Sequence, residues 1–152
     1  MRVLGIDYGE RRIGIAVSDP TGTLARPVGT IPGDANQAIA VARVIDQLAA
    51  LERDDEPVSL VVVGVPTRLD GSANEQTPRV QAFAELLRAR VGRPVVLQDE
   101  RLTSHEADGL LALRERDWRK RKRRLDEVAA AVILQEYLDG HSVAMPDADS
   151  SR

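Results

Sequence analysis

Residues Val58–Val65 (VSLVVVGV) form an almost unbroken apolar run rich in valine. β-Branched residues favour strands, and a strand without polar alternation is buried on both faces. Such a strand needs a covering layer above and below, so the chain must build a sheet with helices packed on it. The flanking sequence supplies both parts. Residues 2–7 (RVLGID) and 13–18 (IGIAVS) read as two strands joined by a short turn over 8–11, an antiparallel hairpin. Residues 24–31 read as a weaker third strand, whose Pro27 argues for an edge position or a bulge. The period then changes. Ile39, Val41, Val44, Ile45, Leu48 and Leu51 recur at helical spacing, and Asp34 with Gln37 resembles a capping box.

After the valine run, Ser72 with Glu75 offers another capping box, and Val80, Phe83, Ala84, Leu87 and Val91 mark a second helix. Residues 94–97 give a short fifth strand. Thr103 with Glu106 opens a helix to about Leu113, and residues 126–138 read as a very apolar final helix. The order is β-β-β-α-β-α-β-α-α. Right-handed crossovers then predict an α/β fold with a mixed five-stranded sheet, three antiparallel strands followed by parallel ones, flanked by helices. A length of 152 residues suits one domain, taken as 1–139, with 140–152 a flexible polar tail.

Composition removes several chemistries. There is no cysteine, which excludes disulfides, thiolate metal sites and cysteine nucleophiles. Two histidines argue against a histidine-rich metal site. The N-terminus reaches charged residues before a signal segment develops, and no apolar run approaches the roughly 20 residues that span a bilayer. A soluble, cytoplasmic protein with no membrane partner is the expectation.

The net charge of −3 conceals an asymmetry. Residues 114–124 hold eight basic and two acidic residues, a local +6 that leaves −9 for the rest. A charge run is usually a solvated face. Cations at this density beside an acidic site also form the electrostatic footprint of nucleic-acid binding. The contact candidates are Arg116, Trp118, Arg119, Lys120, Arg121, Lys122, Arg123 and Arg124, joined by Arg101 and by Arg11 and Arg12 at the hairpin. Adjacent residues of a hairpin strand alternate faces, so Arg11 and Arg12 do not serve one phosphate together. Trp118 can stack on a base, wedge into a branch point or anchor the segment to the core.

Three acidic residues, far apart in the chain, fall at one end of the expected sheet. Asp7 closes the first strand, Glu100 follows the fifth, and Asp126 opens the last helix. Each has an ordinary reading too. Asp7 suits a turn, Glu100 a surface pair with Arg101, and Asp126 an N-cap. Carboxylates brought together repel and raise one another's pKa, and a divalent cation removes that cost. Mg²⁺ or Mn²⁺ suits oxygen ligands and phosphate substrates. A carboxylate–metal centre flanked by arginines has the chemistry of phosphodiester hydrolysis.

At these residues the chain resembles the YqgF (RuvX-like) family of ribonuclease H-like nucleases. The segments that carry the likeness are GIDYGERRIGIAVSD (5–19), VVVGVPTRLDGS (61–72), DERLTS (99–104) and LDEVAAAVILQEYL (125–138). Singly they are weak; together and in order they are specific. Asn74 departs from the pattern, standing where the family loop often carries glycine. The resemblance implies a ribonuclease H-like fold, with Asp7, Glu100 and Asp126 as the catalytic, metal-binding set. It implies processing of the 5′ end of the 16S rRNA precursor, or resolution of Holliday junctions, which would need paired sites and hence a homodimer. Two readings from other classes stand beside it. One is ATP-linked phosphotransfer, since Asp7-Tyr8-Gly9 matches the Asp-x-Gly phosphate motif of actin-like kinases. Those enzymes use two such domains, and this chain has room for one. The other is a non-catalytic nucleic-acid-binding module.

Overall fold

The computed structural model describes residues 1–53, 55–67, 70–100 and 118–142, and for 118–127 and 142 it describes the backbone. Five strands form one sheet: β1 (Arg2–Asp7), β2 (Arg12–Ser18), β3 (Ala25–Pro32), β4 (Val58–Val65) and β5 (Val95–Asp99). Their spatial order is β3-β2-β1-β4-β5. β1 and β3 pair antiparallel with β2, while β1–β4 and β4–β5 are parallel. This is the mixed sheet expected from the sequence. The helices are α1 (Gln37–Arg53), α2 (Thr77–Val91) and α3 (Trp118–Ser142). The helix expected over 103–113 lies outside the described residues. Among the described residues no helix is long and apolar enough to cross a membrane.

The two-residue period of the strands sorts side chains into two cores. On one face Leu4, Ile6, Ile13, Ile15, Val17, Val61, Val63 and Val65 pack with α1 and α2, through residues such as Val41, Val44, Val80, Phe83 and Leu87. On the other face Val3, Ala16 and Val62 pack with Ala130, Ile133, Leu134 and Leu138 of α3. The valine run is explained by this arrangement: β4 has strands on both sides and helices on both faces. Each fully buried aliphatic side chain contributes about 1.5–3 kcal/mol before ordering entropy is charged against it. β3 behaves as the expected edge, with a register shift opposite Ile15/Ala16 and Gly29 at φ 147°.

Three local expectations are corrected. The cap of α1 is Asn36, whose Oδ1 accepts the N–H groups of Ala38 (2.9 Å) and Ile39 (3.4 Å). Gln37 does not fold back to complete a box with Asp34, because its amide donates to the Arg79 carbonyl at 2.8 Å. Before α2 the organising residue is Asn74, not Ser72: its Oδ1 accepts from the N–H groups of Gln76 (2.7 Å) and Thr77 (3.0 Å). The last helix begins at Trp118 rather than Asp126. Lys, Arg and Leu are good helix formers, so the basic run continues the helix instead of preceding it. At the other end the helix passes Gly140 and closes at Ser142, where the His141 and Tyr137 rings stack at 3.9 Å.

α3 lies on the sheet with little between them. A Cβ built on Gly5 would stand 2.7 Å from Leu134 Cβ and 3.1 Å from the Ala130 carbonyl oxygen. Glycine is required there by close approach. The Gly5→Val variant should be destabilised by about 1–3 kcal/mol, the usual cost of overpacking. Urea unfolding checks this, and an unchanged midpoint would mean that α3 does not lie on β1.

Candidate active site at the carboxyl edge of the sheet

β1, β4 and β5 run parallel, so their carboxyl ends share one edge of the sheet, where open α/β sheets place their ligand sites. Asp7 is the last residue of β1, half-buried and paired in register with Gly14. By alternation it shares the α3 face with Val3 and Gly5. Tyr8 leaves on the opposite face, where its ring stacks on Phe83 at 4.3 Å. Glu100 follows β5 directly, and its N–H donates to the Val65 carbonyl at 3.1 Å. That bond continues the parallel β4–β5 ladder by one residue, so Glu100 keeps the strand's alternation and shares the α3 face with Val96. Glu100 is only 9% exposed.

The Glu100 carboxylate lies over Gly64. A Cβ at Gly64 would meet both Glu100 Oε2 and Ile133 Cδ1 at 2.5 Å. The glycine thus leaves the room that a glutamate needs between β4 and α3. It is an isolated glycine inside a strand pattern, a recognised mark of close approach, and the sequence reading did not single it out.

Burial and charge act on Glu100 in the same direction. Its pKa is pushed up to about 8, first by burial, then by Asp7, Asp99 and Glu136. Asp7 is the strongest of the neighbouring charges, so the structure brings together this pair of the expected set. Glu136 was missed from sequence. Its only signal is polarity, with Gln135, inside the otherwise apolar stretch 128–138. Asp99 sits at the exposed end of β5, where its Oδ1 accepts a 2.6 Å hydrogen bond from Thr67 Oγ1. This bond ties the loop after β4 to the strand bearing Glu100.

Asp126 is not the opening residue of its helix, since α3 starts eight residues earlier; an N-cap role is therefore excluded. Its backbone position is defined by packing further along. Ala130 and Leu134 lie against Gly5, while Gln135 bonds the Thr23 carbonyl and the Ala25 N–H near the start of β1. α3 thus runs antiparallel to β1. Asp126 stands one turn, about 6 Å, before Ala130, and Asp7 stands two residues, about 7 Å, beyond Gly5. The two positions are level. Asp126 also continues the stripe of Ala130, Leu134 and Leu138, all buried against the sheet.

The basic candidates divide. Arg11 is exposed on the β1–β2 turn and Arg12 is the half-buried first residue of β2. Trp118 and residues 119–124 form the first two turns of α3, at the same edge of the sheet. Arg101 and Arg116 lie outside the described residues. Among the described residues no three His, Asp or Glu come close enough to hold a metal ion; the Asp126 side chain is not among them. The donors that are described are carboxylate oxygens around a buried, like-charged centre, the chemistry that a hard divalent cation fits.

A family model described as RuvX, Holliday junction resolvase, matches residues 1–140. A Roseiflexus sp. (strain RS-1) protein named "Putative pre-16S rRNA nuclease" is 39% identical over 138 residues, covering 91% of this chain and 94% of that protein. A Listeria monocytogenes (strain EGD-e) protein of the same name is 39% identical over 140 residues, covering 91% and 98%. The structure of T. thermophilus RuvC in complex with a Holliday junction substrate has a TM-score of 0.51 to this chain at 18% identity, covering 93% of this chain and 96% of that one. This last likeness is one of fold.

The raised pKa has a consequence for stability. Between pH 4.5, the ordinary glutamate value, and about 8, the folded chain holds a proton at Glu100 that the unfolded chain has released. Stability contributed by the protonated carboxyl is therefore lost as pH rises through that window. In EDTA, the Glu100→Gln variant should be more stable than wild type at pH 8, by at least about 1 kcal/mol, with the gap closing toward pH 5. Urea unfolding across pH measures this; parallel pH profiles for the two proteins would contradict it.

Proposed function

The chain belongs to the RuvX Holliday junction resolvase family, and from that membership we propose that it is a divalent-metal-dependent endonuclease that processes the 5′ end of pre-16S rRNA. The reaction class is hydrolysis of phosphodiester bonds in structured nucleic acid. The observation that carries this reading is a Glu100 whose pKa is raised first by burial and then by the neighbouring Asp7, at the edge where the Asp126 position arrives on α3.

In this reading Asp7, Glu100 and Asp126 hold the ion, and all are hard oxygen donors. Bound there, Mg²⁺ or Mn²⁺ would neutralise the gathered carboxylates and supply Lewis acidity at the scissile phosphate. The protein's own part is positional. Gly64 lets Glu100 lie flat on β4 beneath Ile133, so the carboxylate is held by packing. Thr67 holds Asp99 at the rim, which keeps the two adjacent acids of the β5 end in different places. Arg11, Arg12, Arg101, Arg116 and the run Arg119, Lys120, Arg121, Lys122, Arg123 and Arg124 hold the substrate backbone, with Trp118 available to stack on a base.

A second reading, resolution of Holliday junctions, is favoured by the description of the family model. It differs in substrate and in requiring two symmetrically placed sites, hence a homodimer.

Labelled pre-16S rRNA and a four-way DNA junction, each incubated with Mg²⁺, Mn²⁺ or EDTA, test both. The expected result is metal-dependent cutting of the RNA. Asp7→Asn, Glu100→Gln and Asp126→Asn should each lose at least about 100-fold, the scale of a few kcal/mol of transition-state charge stabilisation. Full activity in the Asp7→Asn and Asp126→Asn variants would remove the proposed centre. Paired cuts in the junction by a dimer would select the second reading. Nucleotide hydrolysis without cutting would select phosphotransfer, and metal-independent binding without cutting would leave a binding module.

A further inference from the structure

The first two turns of α3 contain six consecutive cations, residues 119–124 (RKRKRR), with no acidic residue in the first turn. A helix so built opposes itself. Like charges at i,i+3 and i,i+4 repel, and cations at a helix N-terminus oppose the macrodipole. At 100° per residue, six successive positions also pass around the whole axis. The charge is therefore a sleeve rather than a stripe.

Packing further along α3 tells which side is which. Eleven residues return a helix to nearly the same angle. Lys122 thus shares the side of Ile133, which packs at Gly64 and Glu100. Arg124 shares the side of Gln135, which bonds the Thr23 carbonyl and the Ala25 N–H on the β3 side. Arg119, Lys122 and Arg123 stand seven, four and three residues before Asp126, on its stripe. Lys120, Arg121 and Arg124 occupy the remaining positions. The cationic turns extend about 12 Å beyond the level of Asp126 and hence of Asp7, past the carboxyl edge of the sheet.

We propose that this sleeve seats between two phosphodiester backbones of one substrate. Arg119, Lys122 and Arg123 serve the strand at the carboxylates, and Lys120, Arg121 and Arg124 serve a second strand on the β2–β3 side, where the exposed Arg11 also stands. A lone strand lies along one side of a helix and would leave three cations repelling one another. Two backbones neutralise both sides. The protein then distinguishes paired or branched nucleic acid from single strands by this helix end. The inference rests on the nuclease reading above and adds to it the division of one basic run between two strands.

The test is equilibrium binding of the full chain in EDTA, by fluorescence anisotropy across a salt series. The probes are a fully paired RNA hairpin and an unstructured RNA of equal length. Each lost phosphate contact lowers the magnitude of the salt slope by about one. Alanine is a strong helix former, so triple alanine variants keep the helix. For K120A/R121A/R124A the hairpin slope should fall by about two to three and the single-strand slope by less than one. For R119A/K122A/R123A both slopes should fall. Equal losses on the two RNAs in the first variant, or an unchanged hairpin slope, would overturn the two-strand assignment. Because binding is read without metal, these outcomes are independent of cutting. Cleavage by wild type in Mn²⁺ reports separately on the nuclease reading.

Discussion

The close approach of α3 to the bare backbone of β1 and β4 is the constraint on which this molecule depends. Gly5 admits Leu134 and the Ala130 carbonyl, and Gly64 admits Ile133 together with the Glu100 carboxylate. A side chain at either place would lift the helix from the sheet. The second core, Val3, Ala16 and Val62 against the apolar side of α3, would open with it. So would the site, since the same contact that buries Ile133 confines Glu100. Packing and chemistry are here a single arrangement: the helix that completes the fold is also the lid on a carboxylate.

That arrangement gives α3 two halves of opposite character. From Val128 onward it is a core element, buried through Ala129, Ala130, Ile133, Leu134 and Leu138. Before Asp126 it is cationic. The sheet edge beneath it is acidic, with Asp7 and Asp99 close enough to Glu100 to raise its pKa further after burial has done so. A near-neutral total charge thus resolves into a negative floor and a positive projection. This separation suits a ligand that is itself a polyanion and reacts at a cation-bridged phosphate. Glu136 adds to the negative side from within the helix, on the flank facing β4 and β5.

Much of the fold was legible because it follows from periodicity. The valine run required a covered central strand; the two apolar runs at 2–7 and 13–18 with a short turn between them required a hairpin; the spacing of Val80, Phe83, Ala84, Leu87 and Val91 required a helix, and all five are buried. The errors were local. Several residues compete to cap a helix within a few positions, and Asn36 and Asn74 prevailed over Asp34 and Ser72 through hydrogen bonds that depend on loop path. The start of α3 was placed too late because dense charge resembles a linker, although lysine and arginine favour helix. Gly64 carried the mark of a close approach as a glycine inside a strand, but what approaches it, and the part Glu136 plays, depend on how α3 is phased against the sheet.

The amino-acid order by itself determined the strand and helix types, the mixed sheet, the two-faced burial of β4, and the presence of acids at strand ends and of a cationic run. These follow from short-range stereochemistry and from which residues leave water. Only the tertiary structure decided that Glu100 is buried against Gly64 rather than paired at the surface, that Asp126 lies inside a helix and not at its cap, and that its position stands level with Asp7. Those facts rest on the distance and phase between elements remote in the chain, and such distances are set by side-chain volumes meeting across an interface, which no local pattern encodes.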